Sequence, residues 1–220
     1  MGVKKILLIL ILLFTPLEVI LQSGMPCLRR GLLIGFTACQ LRARGYAEEV
    51  AMKRAVMIIA QEDFRDEELL EPKKILEDAG ITVKVASRQK KRASGMLGAR
   101  VMPDITLDQI NVQDFDAIIF VGGSGASTYW DDKLAHEIAS RACSAGKVVG
   151  AICIAPVTLA RAGLLKGKRA TVWSSEAGHL KARGAIYTAK AVEKDGNIIT
   201  AQGPTAAAEF GSQILKALTE

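Results

Sequence analysis

Two short runs constrain the fold most. DAIIFV (116–121) and KVVGAI (147–152) are apolar at every interior position, without the alternation of a strand that keeps one face in water. A strand of that kind has to be covered on both faces, which is the usual condition of a parallel sheet between two helical layers. Around these runs, strand-like and helix-like stretches alternate. Ala55–Ala60 reads as a first strand. A helix opens at Asp66-Glu67-Glu68, with Asp66 and Glu67 read as exposed first-turn acids, and ends before Gly80, with Leu69, Leu70, Ile75, Leu76 and Ala79 as its buried side. Ile81–Ala86 follows as a strand. Lys133–Ala145 and Ala155–Ala162 read as helices, the second closed by Gly163. Thr171–Trp173 reads as a short strand before a helix over 176–183. Ala191–Glu193 and Asn197–Ala201 flank the hairpin turn Asp195-Gly196, and Thr205–Leu218 closes the chain as an amphipathic helix. Repeated βα units of this kind predict an α/β fold: a doubly wound, mostly parallel sheet with helices on both faces.

The 220 residues divide unevenly in charge. Residues 1–54 carry 8 Lys/Arg against 3 Asp/Glu, and residues 55–220 carry 21 against 20. The main domain, 55–220, is nearly neutral, so the net charge of +6 argues for no nucleic-acid partner. The one basic run, Arg88-Gln-Lys-Lys-Arg92, reads as a solvated loop. Residues 1–54 form a hydrophobic, basic leader. Lys4-Lys5 precede an apolar stretch broken by Thr15, Pro16 and Glu18, and Arg29-Arg30 precede a second one. This leader reads as a signal peptide or membrane anchor, with the protein exported or membrane-associated. The other reading is a start assigned too early, in a cytoplasmic protein beginning nearer Met52.

In open α/β sheets, ligands bind beyond the carboxyl ends of the strands. Three features fall there: the acidic turn after the first strand, the turn Gly122-Gly123-Ser124-Gly125, and Cys153 at a strand-to-helix corner. A thiol over a helix start near Ile154 is placed where a thiolate is stabilised. The four cysteines form no CxxC and no zinc-spaced cluster with histidine, so neither a metal nor a disulfide framework is expected. Cys143 reads as core. His136 and His179, the only histidines, fall in predicted helices away from the corner.

Five stretches together resemble the ThiJ/PfpI family, the superfamily of Parkinson disease protein 7 on a flavodoxin-like, class I glutamine amidotransferase-like fold. They are EDFRDEELLEPKKILEDAG (62–80), DFDAIIFVGGSGA (114–126), VVGAICIAP (148–156), AGLLKGKRAT (162–171) and VEKDGNIITAQGPTAAAEF (192–210). The resemblance implies that Cys153 is the reactive cysteine of a nucleophile elbow and that Glu68 hydrogen-bonds its sulfur. It also places Gly122 and Gly123, with the neighbouring Ile154, at an oxyanion-hole-like pocket. Trp173 stands about where some members carry a histidine, and it reads as a pocket wall or a dimer contact. Protease-like members place His directly after the cysteine, and here that residue is Ile154. The implied activity is glyoxalase- or deglycase-like, on small carbonyls or glycated protein, in a homodimer without cofactor. The alternatives are a redox-sensing or chaperone-like protein acting through oxidation of Cys153, and a cysteine peptidase or amidase.

Overall fold

The computed structural model describes residues 52–220, together with Gly45, Glu49 and Val50. The expectations for the leader lie outside these residues. The central sheet has seven strands: β1 (Arg54–Ile58), β3 (Thr82–Ser87), β6 (Ile105–Thr106), β7 (Ala117–Phe120), β8 (Val148–Ile152), β11 (Val192–Asp195) and β12 (Ile198–Ala201). Their spatial order is β11-β12-β8-β7-β1-β3-β6, and every pair is parallel except β11 with β12. Within residues 52–220, five α-helices accompany them: α1 (Asp66–Asp78), α2 (Lys133–Ser144), α3 (Pro156–Arg161), α4 (Ala177–Ala182) and α5 (Ala207–Thr219).

The uninterrupted apolar runs are explained by the layers. On β1, Val56 and Ile58 face a core that includes Ile138 of α2, Leu159 of α3 and Leu180 of α4. Their neighbours Ala55 and Met57 face the opposite core, with Leu69 and Leu76 of α1 and Phe210 and Ile214 of α5. Successive side chains of a strand point to opposite faces, so a strand between two apolar layers needs no polar position. Among the described residues, no helix is long and apolar enough to cross a membrane.

Four expectations are corrected. Leu70 is 47% exposed, because the buried face of α1 runs instead through Glu68, Leu69, Pro72 and Leu76. Residues 171–173 form no strand; the short pairing comes earlier, between β9 (Arg169–Ala170) and β10 (Ile186–Tyr187). The hairpin turns one residue later than predicted, at Gly196-Asn197, with Asp195 paired to Ile198. Asp66, expected to be a solvated helix-start acid, is buried and accepts the amides of Leu97 (2.9 Å) and Ala99 (2.7 Å). It thereby ties the helix to a small side sheet of β2 (Glu62–Phe64), β4 (Ala93–Gly95) and β5 (Arg100–Val101), which has no obvious pattern in the sequence. The basic run 88–92 is exposed, as expected, with Arg88 paired to Asp132 at the start of α2.

Candidate active site

β1 is flanked by β3 on one side and β7 on the other, and the crossovers after it run to opposite faces of the sheet. This is the switch point at which a crevice opens beyond the strand ends. α1 starts at the rim of that crevice, the Gly122-Gly123 turn leaves the end of β7, and Cys153 follows β8 directly.

Cys153 has φ +62°, a conformation that L side chains rarely adopt. The surrounding backbone holds it there. Its N–H donates to the carbonyl of Ala201 and its own carbonyl accepts the N–H of Trp173, both at 2.9 Å. A sharp strand-to-helix turn of this kind lifts the thiol out of the sheet.

Gly122 lies between the thiol and the carboxyl of Glu68. A Cβ at residue 122 would stand 2.4 Å from both Cys153 Cβ and Glu68 Oε2, so only glycine lets the two side chains face each other. Gly123, at φ +95°, would place a Cβ 2.3 Å from the carbonyl oxygen of Asp63. The turn is pinned to this loop by the N–H of Arg65, which donates to the Gly122 carbonyl at 3.0 Å.

Glu68 is fully buried and neither carboxyl oxygen has a well-formed hydrogen bond. The Cys153 side chain and the Gly122 amide face it without completing one. A buried carboxyl in that state favours its neutral form. Burial raises Glu68 to about 8, against the opposing pull of Cys153, the Gly122 amide and the Arg65 charge. Burial also pushes the Cys153 thiol up to about 12, with the Glu68 charge adding to it and the amides of Gly123 and Ile154 pulling the other way. The expectation of a thiolate held by a helix start is therefore corrected. α3 begins only at Pro156 and is six residues long, and the local amides are outweighed by burial.

The thiol opens into a cleft of ≈ 470 Å³, lined among others by Glu68, Gly123, Cys153, Ile154 and Trp173. These are five of the six site residues expected from the sequence, and Gly122 lies just beneath them. Trp173 is 46% exposed, as a wall residue would be. Arg65, Met96, Trp130, Glu176 and Pro204, which no sequence signal singled out, also line the cleft. Arg65 is clamped by Glu67, at 2.8 and 3.0 Å. Neither histidine lines the cleft, yet both touch one of its walls: His136 Nε2 lies 2.8 Å from the Trp130 carbonyl, and the His179 ring lies 5.2 Å from the Trp130 ring. Among the described residues, no three His, Cys, Asp or Glu side chains gather to hold a metal ion.

Residues 53–217 match the DJ-1/PfpI family. The chain belongs to this family. A relative from Methanocaldococcus jannaschii, itself uncharacterized, is 42% identical over 183 residues, 82% of this chain and 89% of that one. The deglycase PfpI of Pyrococcus furiosus is 31% identical over 149 residues, 68% of this chain and 90% of the relative. The glutathione-independent glyoxalase DJR-1.2 of Caenorhabditis elegans is 28% identical over 168 residues, 76% and 90% of the two chains. Among solved structures, a ThiJ/PfpI domain protein from Brachyspira murdochii superposes with a TM-score of 0.74 at 33% identity, covering 75% of this chain and 95% of the other. The DJ-1/PfpI match begins at residue 53 and spans every strand of the central sheet.

Proposed function

We propose that this chain is a cysteine-dependent glyoxalase or deglycase acting on small reactive carbonyls or their adducts on protein. The names of the Pyrococcus and Caenorhabditis relatives support the reaction class. The observation that carries the role of the cysteine is the pair itself. A thiol on a left-handed elbow faces a buried carboxyl without a well-formed hydrogen bond, across a residue with no side chain.

The chemistry follows from where the protons sit. With Glu68 at about 8 and the thiol at about 12, the singly protonated pair keeps its proton on sulfur, and the Glu68 carboxylate takes that proton as the sulfur attacks. The sulfur attacks the aldehyde carbon, an S–C bond forms, and the carbonyl π pair moves onto oxygen. Glu68 gives its proton to that oxygen, which yields a neutral hemithioacetal and a carboxylate able to act next as base. The amides of Gly123 and Ile154, which already face the sulfur, are the donors for the oxygen as charge develops. Trp173 walls the cleft beside them.

Consumption of methylglyoxal by the purified protein tests this reading, with Cys153→Ala as the control. Turnover lost in the control is the expected result. An intact thiol without turnover removes the enzymatic reading. In that case, mass spectrometry after peroxide treatment, showing Cys153 as sulfinic acid, would favour the redox-sensing alternative.

A further inference from the structure

Trp130 caps the short 3-10 helix Ser124–Tyr129 that follows the Gly122-Gly123 turn. In the structure its indole N–H donates to the carbonyl oxygen of Ile154 at 3.1 Å. Ile154 is the residue after the thiol, and its own N–H faces the sulfur. The backbone around it is therefore held at two successive peptides. The carbonyl of the first, Cys153, is held by the Trp173 amide, and the carbonyl of the second, Ile154, by the Trp130 indole. The first fixes where the Ile154 N–H points, and the second, shared on the same oxygen with the Val157 N–H at 3.2 Å, restrains the following peptide.

The indole is itself held. The Arg161 guanidinium lies over its ring at 5.0 Å, the His179 ring lies 5.2 Å away at an interplanar angle of 52°, and its carbonyl meets His136 Nε2. His179 and Arg161 therefore bear on the Trp130 side chain and His136 on its backbone, and the indole bears on the elbow. Trp130 is half-buried against the core beneath α2 and α3, with part of its surface in the cleft.

We propose that Trp130 is a positioning residue for the reaction: through its indole N–H it holds the Ile154 carbonyl, and so keeps the amide of Ile154 aimed at the sulfur and the developing oxyanion. The inference rests on Cys153 being the nucleophile of the proposed function, but not on the identity of the carbonyl substrate. It concerns one hydrogen, so the test removes that hydrogen in two ways. Trp130→Phe loses the N–H and some ring volume. Replacement of Trp130 by benzothienylalanine keeps the bicyclic shape and stacking and loses only the N–H.

The readouts are the alkylation rate of Cys153 by iodoacetamide across pH, with Cys143 as internal reference, and kcat and KM with methylglyoxal. Both variants are expected to slow alkylation of Cys153 on the order of tenfold, the effect of one hydrogen bond. The rate profile should move to higher pH, Cys143 should be unaffected, and kcat should fall with KM little changed. A benzothienylalanine protein with wild-type alkylation and kcat overturns the proposal and leaves Trp130 as packing. So does a loss shared equally by Cys143, which reports general loosening. If alkylation slows as expected but methylglyoxal is never consumed, the positioning role stands and the proposed enzymatic function falls.

Discussion

The carbonyl oxygen of Cys153 accepts the amide hydrogen of Trp173 at 2.9 Å, so the elbow and one wall of the cleft are the two ends of one hydrogen bond. The Trp173 ring in turn lies flush on Gly203, where a Cβ would come within 2.8 Å of ring carbon Cε3. Gly203→Ala should therefore push the indole into the cleft and leave the thiol chemistry in place. The expected outcome is a KM for the carbonyl raised about fivefold or more with kcat changed less than twofold, a cost of about 1 kcal/mol in ground-state binding. Steady-state kinetics check it, with tryptophan fluorescence as a second view of the displaced ring.

Cys153 and Glu68 should titrate as a unit. With Glu68 at about 8 and the thiol at about 12, the first proton leaves near pH 8 and the second far above. The singly protonated pair is the reactive one, so kcat/KM should rise with pH through a midpoint near 8. Glu68→Leu removes the carboxylate charge that raises the thiol and should move thiol ionisation, followed by absorbance, to lower pH. Glu68→Gln removes the same charge and should shift ionisation in the same direction, yet lower kcat by on the order of 100-fold, because an amide is neither acid nor base. Superimposable curves in all three proteins would remove Glu68 from the site.

Glu68 should also cost stability, in one pH window. Its carboxyl is raised from 4.5 to about 8 by folding. The unfolded chain therefore gives up this proton first, and the folded state loses stability as pH rises from about 4.5 until the folded carboxyl also ionises near 8. Glu68→Gln has no such proton. At pH 8 it should be more stable than wild type by on the order of 3 kcal/mol, and at pH 4 the gap should close. Urea unfolding at the two pH values measures both. A variant less stable than wild type at pH 8 would show that the carboxyl is satisfied after all.

Cys153 should alkylate well before Cys143 near neutral pH. Both thiols are raised by burial, but only Cys153 opens into the cleft, and only Cys153 faces a carboxylate that can take its proton as it reacts. Peptide mapping after brief iodoacetamide treatment should find Cys153 modified first, and Glu68→Leu should slow that residue alone. Early labelling of Cys143 would contradict the elbow assignment.

What was legible in the sequence is what repeats or stands alone. β7 and β8 announce themselves because covered strands have no polar positions, and Cys153 because a strand-like run ends in a thiol at a helix start. Trp130 announces nothing: its partner is a backbone carbonyl, and backbone carbonyls leave no trace in a sequence. The same holds for Asp66, whose partners are the amides of Leu97 and Ala99 in a side sheet too short to show a period. Glu68 shares its acidic first turn with Asp66 and Glu67, and only the family resemblance set it apart from them. Its difference lies in the direction of one helix face and in the missing side chain of Gly122, both of which belong to the tertiary structure. The thiolate expected over a helix start failed for a related reason, since the depth at which an elbow sits is not written in its residues.

The bond from the Cys153 amide to the Ala201 carbonyl joins the elbow to β12, which is made much later in the chain. Trp173 and α5, whose Phe210 packs in the core under β8, are later still than the thiol they surround. A polypeptide growing from its amino end therefore carries its cysteine for a long interval before anything holds it on the elbow. During synthesis that sulfur is an ordinary thiol on an unfinished sheet edge, and its special geometry arrives only with the closing segments. The order of manufacture thus sets a clock on reactivity: the protein gains its chemistry at birth's end, when the last strand and helix dock.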